Sequence, residues 1–314
     1  MKKALVLFFL SFLLLCHCGR EGTKTGEAKK IETPVVTVSI LPQRYFVRRI
    51  VGDDYRVNVM IPPGHSPATY EPTPREMKTV SESVLYFRIG YIAFEGAWMD
   101  KIASLNKGMK IVDTSVGVSL ITGASPHSHG ESEEDHPYNQ PYDQNDDHDG
   151  IDPHIWLSPS AVKIQLKHIL DAFLELEKDP GNRALYEANY RDFTADIDKL
   201  RAGNETILEP LAGKKFMVYH PAWSYFAREY GLVQFPIEIE GKTPGAADMK
   251  RIIDTAKREN IRVIFVQRQF DSHSARTVAD EIAGKVVVMD PLDPDWLENM
   301  NKIARTFKET LIMN

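Results

Sequence analysis

Three of the ten histidines in this chain, together with one aspartate, stand where an α/β protein could use them to hold a metal ion. His65 lies just after the apolar run Val57 to Ile61, His220 directly follows Lys215 to Tyr219, and Asp290 directly follows Lys285 to Met289. Such β-branched runs read as strands, and open α/β sheets collect their ligands beyond the carboxyl ends of the strands. His154 is the fourth candidate, placed between an acidic tract and the helix that opens at Ser158-Pro159. Three imidazoles and one carboxylate match a tetrahedral zinc shell, with Zn–N distances of about 2.0–2.1 Å. The four residues come from both halves of the chain, so the ion would sit in a cleft between two lobes. His168, inside a helical pattern, and His273, in a loop without further support, are read as structural.

A second group of histidines has a different character. From Ser125 to Gly150 almost nothing is apolar, and His127, His129, His136 and His148 lie among eight Asp and Glu residues. Such a segment cannot bury enough apolar surface to order itself. Its composition is that of a metal-binding tract. We expect a mobile loop that holds several ions weakly and contains no defined site.

These side chains need elements to position them. Four short apolar runs precede the middle of the chain, Val35 to Ile40, Val57 to Ile61, Val84 to Ile89 and Lys110 to Val112. Four follow it, Lys215 to Tyr219, Val233 to Ile239, Ile261 to Val266 and Lys285 to Met289. Runs that are nearly continuously apolar and separated by helical patterns predict parallel sheets covered on both faces. Between the halves, Pro159 opens a helix with Val162, Leu166, Ile169, Leu170 and Phe173 at helical spacing. After Asp179-Pro180-Gly181 a second helix carries a stripe of Leu185, Ala188, Phe193, Ile197, Leu200 and Leu208. About 25 residues at 1.5 Å each make roughly 40 Å, long enough to run along both lobes. The expected fold is α/β, with two lobes, 34–176 and 210–314, each a four-stranded mainly parallel sheet flanked by helices. One long rigid α-helix within 177–209 joins them.

The remaining composition excludes other classes. With 43% hydrophobic and 26% charged residues over 314 positions the chain reads as globular, and a formal charge of -6 argues against a nucleic-acid surface. Lys2 and Lys3 followed by the apolar run Ala4 to Leu15 form a signal segment, 1–18, that predicts export. Both cysteines, Cys16 and Cys18, lie at its end, so the mature fold has no disulfide. A polar tether, 19–33, follows. There is no His-Glu-x-x-His and no Gly-x-Ser-x-Gly. Gly241-Lys242-Thr243 is not a phosphate loop, since Pro236 stands where that motif needs glycine. No enzyme is expected, because four protein ligands leave no open position for a catalytic water.

Several motifs, in order and spacing, resemble the metal-specific solute-binding proteins of ABC importers, and their zinc branch in particular. They are Pro62-Pro63-Gly64-His65-Ser66-Pro67-Ala68-Thr69-Tyr70-Glu71-Pro72, Asp152-Pro153-His154-Ile155-Trp156-Leu157-Ser158-Pro159, Tyr219-His220-Pro221-Ala222-Trp223 and Asp290-Pro291-Leu292. The resemblance covers the chain from about Pro34 to its end. It implies a transition metal, Zn2+, held between the lobes and delivered to a membrane permease, with ligands at His154, His220 and Asp290. It also implies a monomeric carrier that is exported to the periplasm or cell surface. A lone cysteine before a polar tether resembles a lipoprotein signal, which implies acylation of Cys18, with Cys16 as the rival, and a membrane anchor. Manganese-binding relatives, and surface adhesins with a structural metal, are the alternatives. The sequence departs from the family pattern at Ala68, where the first histidine usually stands, and at Gln267-Arg268-Gln269-Phe270, where a glutamate is frequent. His65, on a rigid Gly-His turn flanked by prolines, is expected to take the place of that histidine.

Overall fold

A computed structural model describes residues 33–122, 150–239, 242–270 and 272–312. The signal segment, Cys18, the tether up to residue 32 and the four histidines of the acidic tract lie outside the described residues.

The first half holds β1 (Val35–Val38), α1 (Leu41–Val51), β2 (Arg56–Val59), α2 (Pro74–Ser81), β3 (Ser83–Arg88), α3 (Ala93–Leu105) and β4 (Lys110–Asp113). Two central helices follow, α4 (Pro159–Leu176) and α5 (Pro180–Leu208). The second half holds β5 (Lys215–Val218), α6 (Ser224–Tyr230), β6 (Val233–Pro236), α7 (Ala246–Arg258), β7 (Val263–Val266), α8 (His273–Glu281), β8 (Lys285–Val288) and α9 (Trp296–Leu311). Both sheets are wholly parallel and share one topology, β2-β1-β3-β4 and β6-β5-β7-β8. Each expected strand is present, with bounds that differ by one to three residues, mostly because the last apolar residues run on into the loop beyond. The molecule is a two-lobed α/β fold. Among the described residues no helix is long and apolar enough to cross a membrane.

Local chemistry explains where the central helices start. Ser158 accepts from the Ala161 amide at 3.1 Å and Asp179 from the Asn182 amide at 2.9 Å, and each is followed by a proline at the first helical position. A proline there loses no hydrogen bond, because that amide has no partner within the helix. The long helix α5 has 29 residues and packs against α1 and α4 on one side of the molecule and α6 and α9 on the other. Its buried stripe is Tyr186, Phe193, Ile197, Leu200, Asn204 and Leu208. Leu185, expected in that stripe, is 51% exposed. It is one position, or about 100°, from Tyr186 on a helix of 3.6 residues per turn, and the larger ring takes the inward place. The Tyr186 hydroxyl donates to Asp54 at 2.8 Å.

The core is continuous across the lobes. Alternation along β5 and β7 puts Phe216, Val218, Val263 and Phe265 into one cluster with the first sheet, α4, α5 and α9. Met217, Ile264 and Val266 face a smaller cluster under α7 and α8. Phe307 of α9 packs on Phe216, Phe226 and Phe265, with centroids 4.7 to 5.3 Å apart. At the other end of that helix, Trp296 meets Phe46 of α1 at 5.3 Å.

Candidate metal centre

The segment 151–157 belongs to the first half of the chain but is bound to the second. The Trp156 indole donates to the Pro291 carbonyl at 2.8 Å, the Trp296 indole donates to the Trp156 carbonyl at 2.6 Å, and the Tyr225 hydroxyl donates to the Asp152 carbonyl at 2.8 Å. This lattice presents His154 beside His220, which emerges where β5 ends.

Two carboxylates then set the rings. His154 Nδ1 lies 2.7 Å from Asp152 Oδ1, and His220 Nδ1 lies 3.0 Å from Glu238 Oε1. Both carboxylates are buried, Asp152 at 3% and Glu238 at 8% exposure. In the neutral rings each Nδ1–H therefore donates to its carboxylate, an assignment that follows from the partners. Each Nε2 is left with a lone pair, and the two Nε2 atoms are 3.3 Å apart. Two lone pairs at that distance repel unless a proton or a metal cation is shared between them. Nitrogens bound at ~2.05 Å to one tetrahedral zinc would be about 3.3 Å apart. Burial holds the His154 imidazole below its ordinary pKa, against the opposing charge and hydrogen bond of Asp152, which favours the neutral form that ligates. The Phe270 ring stacks on His220 at 4.8 Å and 19°, and the Gln267 amide donates to the His220 carbonyl at 2.8 Å.

The histidines open into a cavity of about 410 Å³, lined also by Ala68, Ile92, Trp156, Gln269 and Leu292. Asp290 is not among the residues that line it, though it is bonded to two that are. Its Oδ1 accepts from the Gln269 amide at 3.3 Å and the Leu292 amide at 2.9 Å. His65 is not among the cavity residues. Its exposed ring turns back within its own loop, with Nδ1 3.3 Å from the Pro63 carbonyl and an edge-on contact with Tyr70 at 5.1 Å. The loop turns at Gly64, with φ +83, and the next side chain, His65, packs on Tyr70. It is Ala68, three residues on, that reaches the cavity wall. Among the described residues no group of three His, Cys, Asp or Glu stands close enough to hold an ion, so the expected four-ligand shell is not assembled. His168 accordingly has a local role, with Nε2 2.8 Å from the Val116 carbonyl.

Asp152, Glu238 and Phe270 were not singled out by their types. Glu238 carried a usable signal, since it lies two residues past the end of β6, the same location that marks His220 and Asp290.

A family profile, described as zinc-uptake complex component A, periplasmic, matches residues 36–310. The high-affinity zinc uptake system protein ZnuA of Bacillus subtilis is 30% identical over 307 residues, 96% of this chain and 92% of that protein. The manganese ABC transporter substrate-binding lipoprotein PsaA of Streptococcus anginosus is 28% identical over 90% and 87% of the two chains. Among solved structures, a zinc-bound ZnuA with residues 138–173 of its own numbering deleted superposes with a TM-score of 0.77 at 38% identity, covering 89% of this chain and 98% of that one. The chain belongs to the ZnuA family, the periplasmic component A of zinc-uptake complexes.

Proposed function

We propose that this protein is the zinc-binding component of an ABC-type metal importer, capturing Zn2+ between its lobes and delivering it to the cognate membrane permease. The observation that carries the reading is the pair of imidazole Nε2 atoms 3.3 Å apart, each ring fixed by a buried carboxylate. His154 and His220 are the first two ligands and Asp290 the third, reached when its carboxylate leaves the Gln269 amide. Manganese remains the alternative because of the PsaA relatives. The nitrogen pair favours zinc, since imidazole suits zinc and manganese prefers oxygen. Cys18, acylated, would tether a monomer to the membrane, and the tract holding His127, His129, His136 and His148 would add weak capacity.

Competition titration of the full-length chain in detergent tests this reading. One tight zinc per chain is expected. His154→Ala or His220→Ala should weaken it by at least ~100-fold, beyond what loss of an outer-shell partner costs, while His65→Ala and His273→Ala should stay within about twofold of wild type. Equal losses at all four positions would overturn the site, and the absence of tight zinc would overturn the function.

A further inference from the structure

The two histidines of the cavity are not held alike. Asp152 Oδ1 accepts from the main-chain amide of His154 at 2.9 Å and lies 2.7 Å from its ring Nδ1. Both bonds join near neighbours in the sequence, and the segment is pinned further by Trp156 and Tyr225. His220 has no such local tie. Its carboxylate partner, Glu238, comes from beyond β6, a different strand, and meets the ring at Nδ1 only, at 3.0 Å. A single hydrogen bond to one ring atom restrains the plane of an imidazole poorly, because the ring can tilt about that bond. Tilting would swing the His220 Nε2 away from the Nε2 of His154, 3.3 Å off, whereas binding groups have to be held within about 0.5 Å and 10–20°.

A second restraint comes from the turn that ends β7. The sheet order β6-β5-β7-β8 places β7 beside β5, so the residues after Val266 emerge next to His220. Gln267 donates to the His220 carbonyl at 2.8 Å. Three residues on, Phe270 lays its ring on the imidazole, with centroids 4.8 Å apart and planes 19° from parallel. A stack of two flat rings is the contact that fixes a plane, whereas the contact of Trp156 with His154 is tilted by 54°. Phe270 is itself held. Its amide donates to the Gln267 carbonyl at 3.3 Å, its ring meets Tyr219 at 5.7 Å, and it packs against the small apolar cluster of the second lobe.

Resting on the metal reading above, we propose that Phe270 is a positioning residue for zinc binding: it does not touch the ion, and it sets the plane of His220 so that Nε2 points at the ion shared with His154. Glu238 fixes where Nδ1 sits, and Phe270 fixes how the ring is turned. Together the two restraints define the direction of one lone pair. Flatness is the property used here. An aliphatic side chain of similar size would fill the space and leave the imidazole free to tilt.

Competition titration of zinc with the full-length chain in detergent tests the proposal. Phe270→Leu should weaken zinc by about 10–100-fold, the range for groups that orient a ligand, and do so through faster release. Phe270→Tyr restores a flat ring and should lie within about threefold of wild type. Ile261→Ala removes a buried side chain from the same apolar cluster at the other end of β7. It should lower the urea midpoint more than Phe270→Leu does, yet leave zinc affinity within about twofold of wild type. With Co2+ added to saturation in place of zinc, the visible absorption should change in Phe270→Leu and not in Ile261→Ala. Zinc affinity unchanged in Phe270→Leu, equally weak in Phe270→Tyr, or lowered as far in Ile261→Ala would overturn the positioning role, and so would an unaltered Co2+ spectrum in Phe270→Leu. His220→Ala separates the two readings. If it leaves zinc tight, the ligand assignment falls and this proposal with it, whereas weak zinc there beside wild-type zinc in Phe270→Leu removes Phe270 alone.

Discussion

Each cavity histidine uses one ring nitrogen to hold a carboxylate, which leaves Nε2 of each facing its neighbour's. The carboxylate fixes the tautomer, stops the ring from rotating and makes the free nitrogen more basic. Glu238 should therefore matter although it would not touch zinc. Glu238→Ala is expected to weaken zinc by ~10–100-fold, with Glu238→Gln intermediate because its amide oxygen can still accept from Nδ1–H. Competition titration of both variants checks this, and wild-type affinity in the alanine variant would refute the orienting role. Position after a strand end marked His220 and position before the helix at Pro159 marked His154, and the fold sets these two side by side, whereas Asp290, marked in the same way as His220, is held by Gln269 and Leu292. His65 shows where such reasoning stops. Proximity along the chain locates a loop, whereas the path of its backbone puts Ala68 and not His65 on the cavity wall.

At the level of elements, the eight strands were legible because buried parallel strands are written as short apolar runs, a pattern that local sequence carries by itself. The α5 stripe was less so, since helical spacing does not say whether Leu185 or Tyr186 wins the inward place. Side-chain contacts that pin loops were not legible at all. Glu95 of α3, 1% exposed, accepts from the Ile89 and Gly90 amides at 2.7 Å each and from the Ser39 hydroxyl, holding the loop that carries Tyr91 and Ile92 to the cavity. Gly90 fits there for two reasons, a φ of +118 and a site where a Cβ would stand 2.7 Å from Ser115 Oγ. Burial raises the Glu95 pKa above 4.5, against the pull of Ser39, the two amides and Arg88. The native state therefore binds a proton that the unfolded chain has lost, so this contribution to stability is full below 4.5 and disappears as pH rises through the raised value. Glu95→Gln turns an N–H toward a backbone amide and should cost about 1–3 kcal/mol. Urea denaturation should show the gap to wild type largest near pH 4.5 and narrowing toward neutrality, and a gap that widens with pH would contradict the assignment.

Across the whole molecule, the lobes share more than a connecting helix. One apolar cluster runs through both, and the indoles of Trp156 and Trp296 join segment 151–157 to the second lobe. On the far side, Glu229 of α6 accepts from Ser160 Oγ at 2.6 Å and from Ser158, and meets Arg201 of α5 at 3.2 Å. Opening a hinge between the lobes would expose that cluster and break these bonds together. Small-angle scattering from EDTA-stripped and zinc-loaded protein should give superimposable curves, whereas a contraction like the domain closure of hinged binding proteins would show the shared core to be less constraining than its packing implies. EDTA-stripped protein should also remain folded.

That shared core bears on how a permease tells a full carrier from an empty one. If the outline of the molecule does not change, the message must be electrical. An arriving zinc ion places two positive charges beside the buried carboxylates of Asp152 and Glu238, at a cavity without Lys or Arg among the described residues, and cancels the negative charge that a docking partner would meet in the empty carrier.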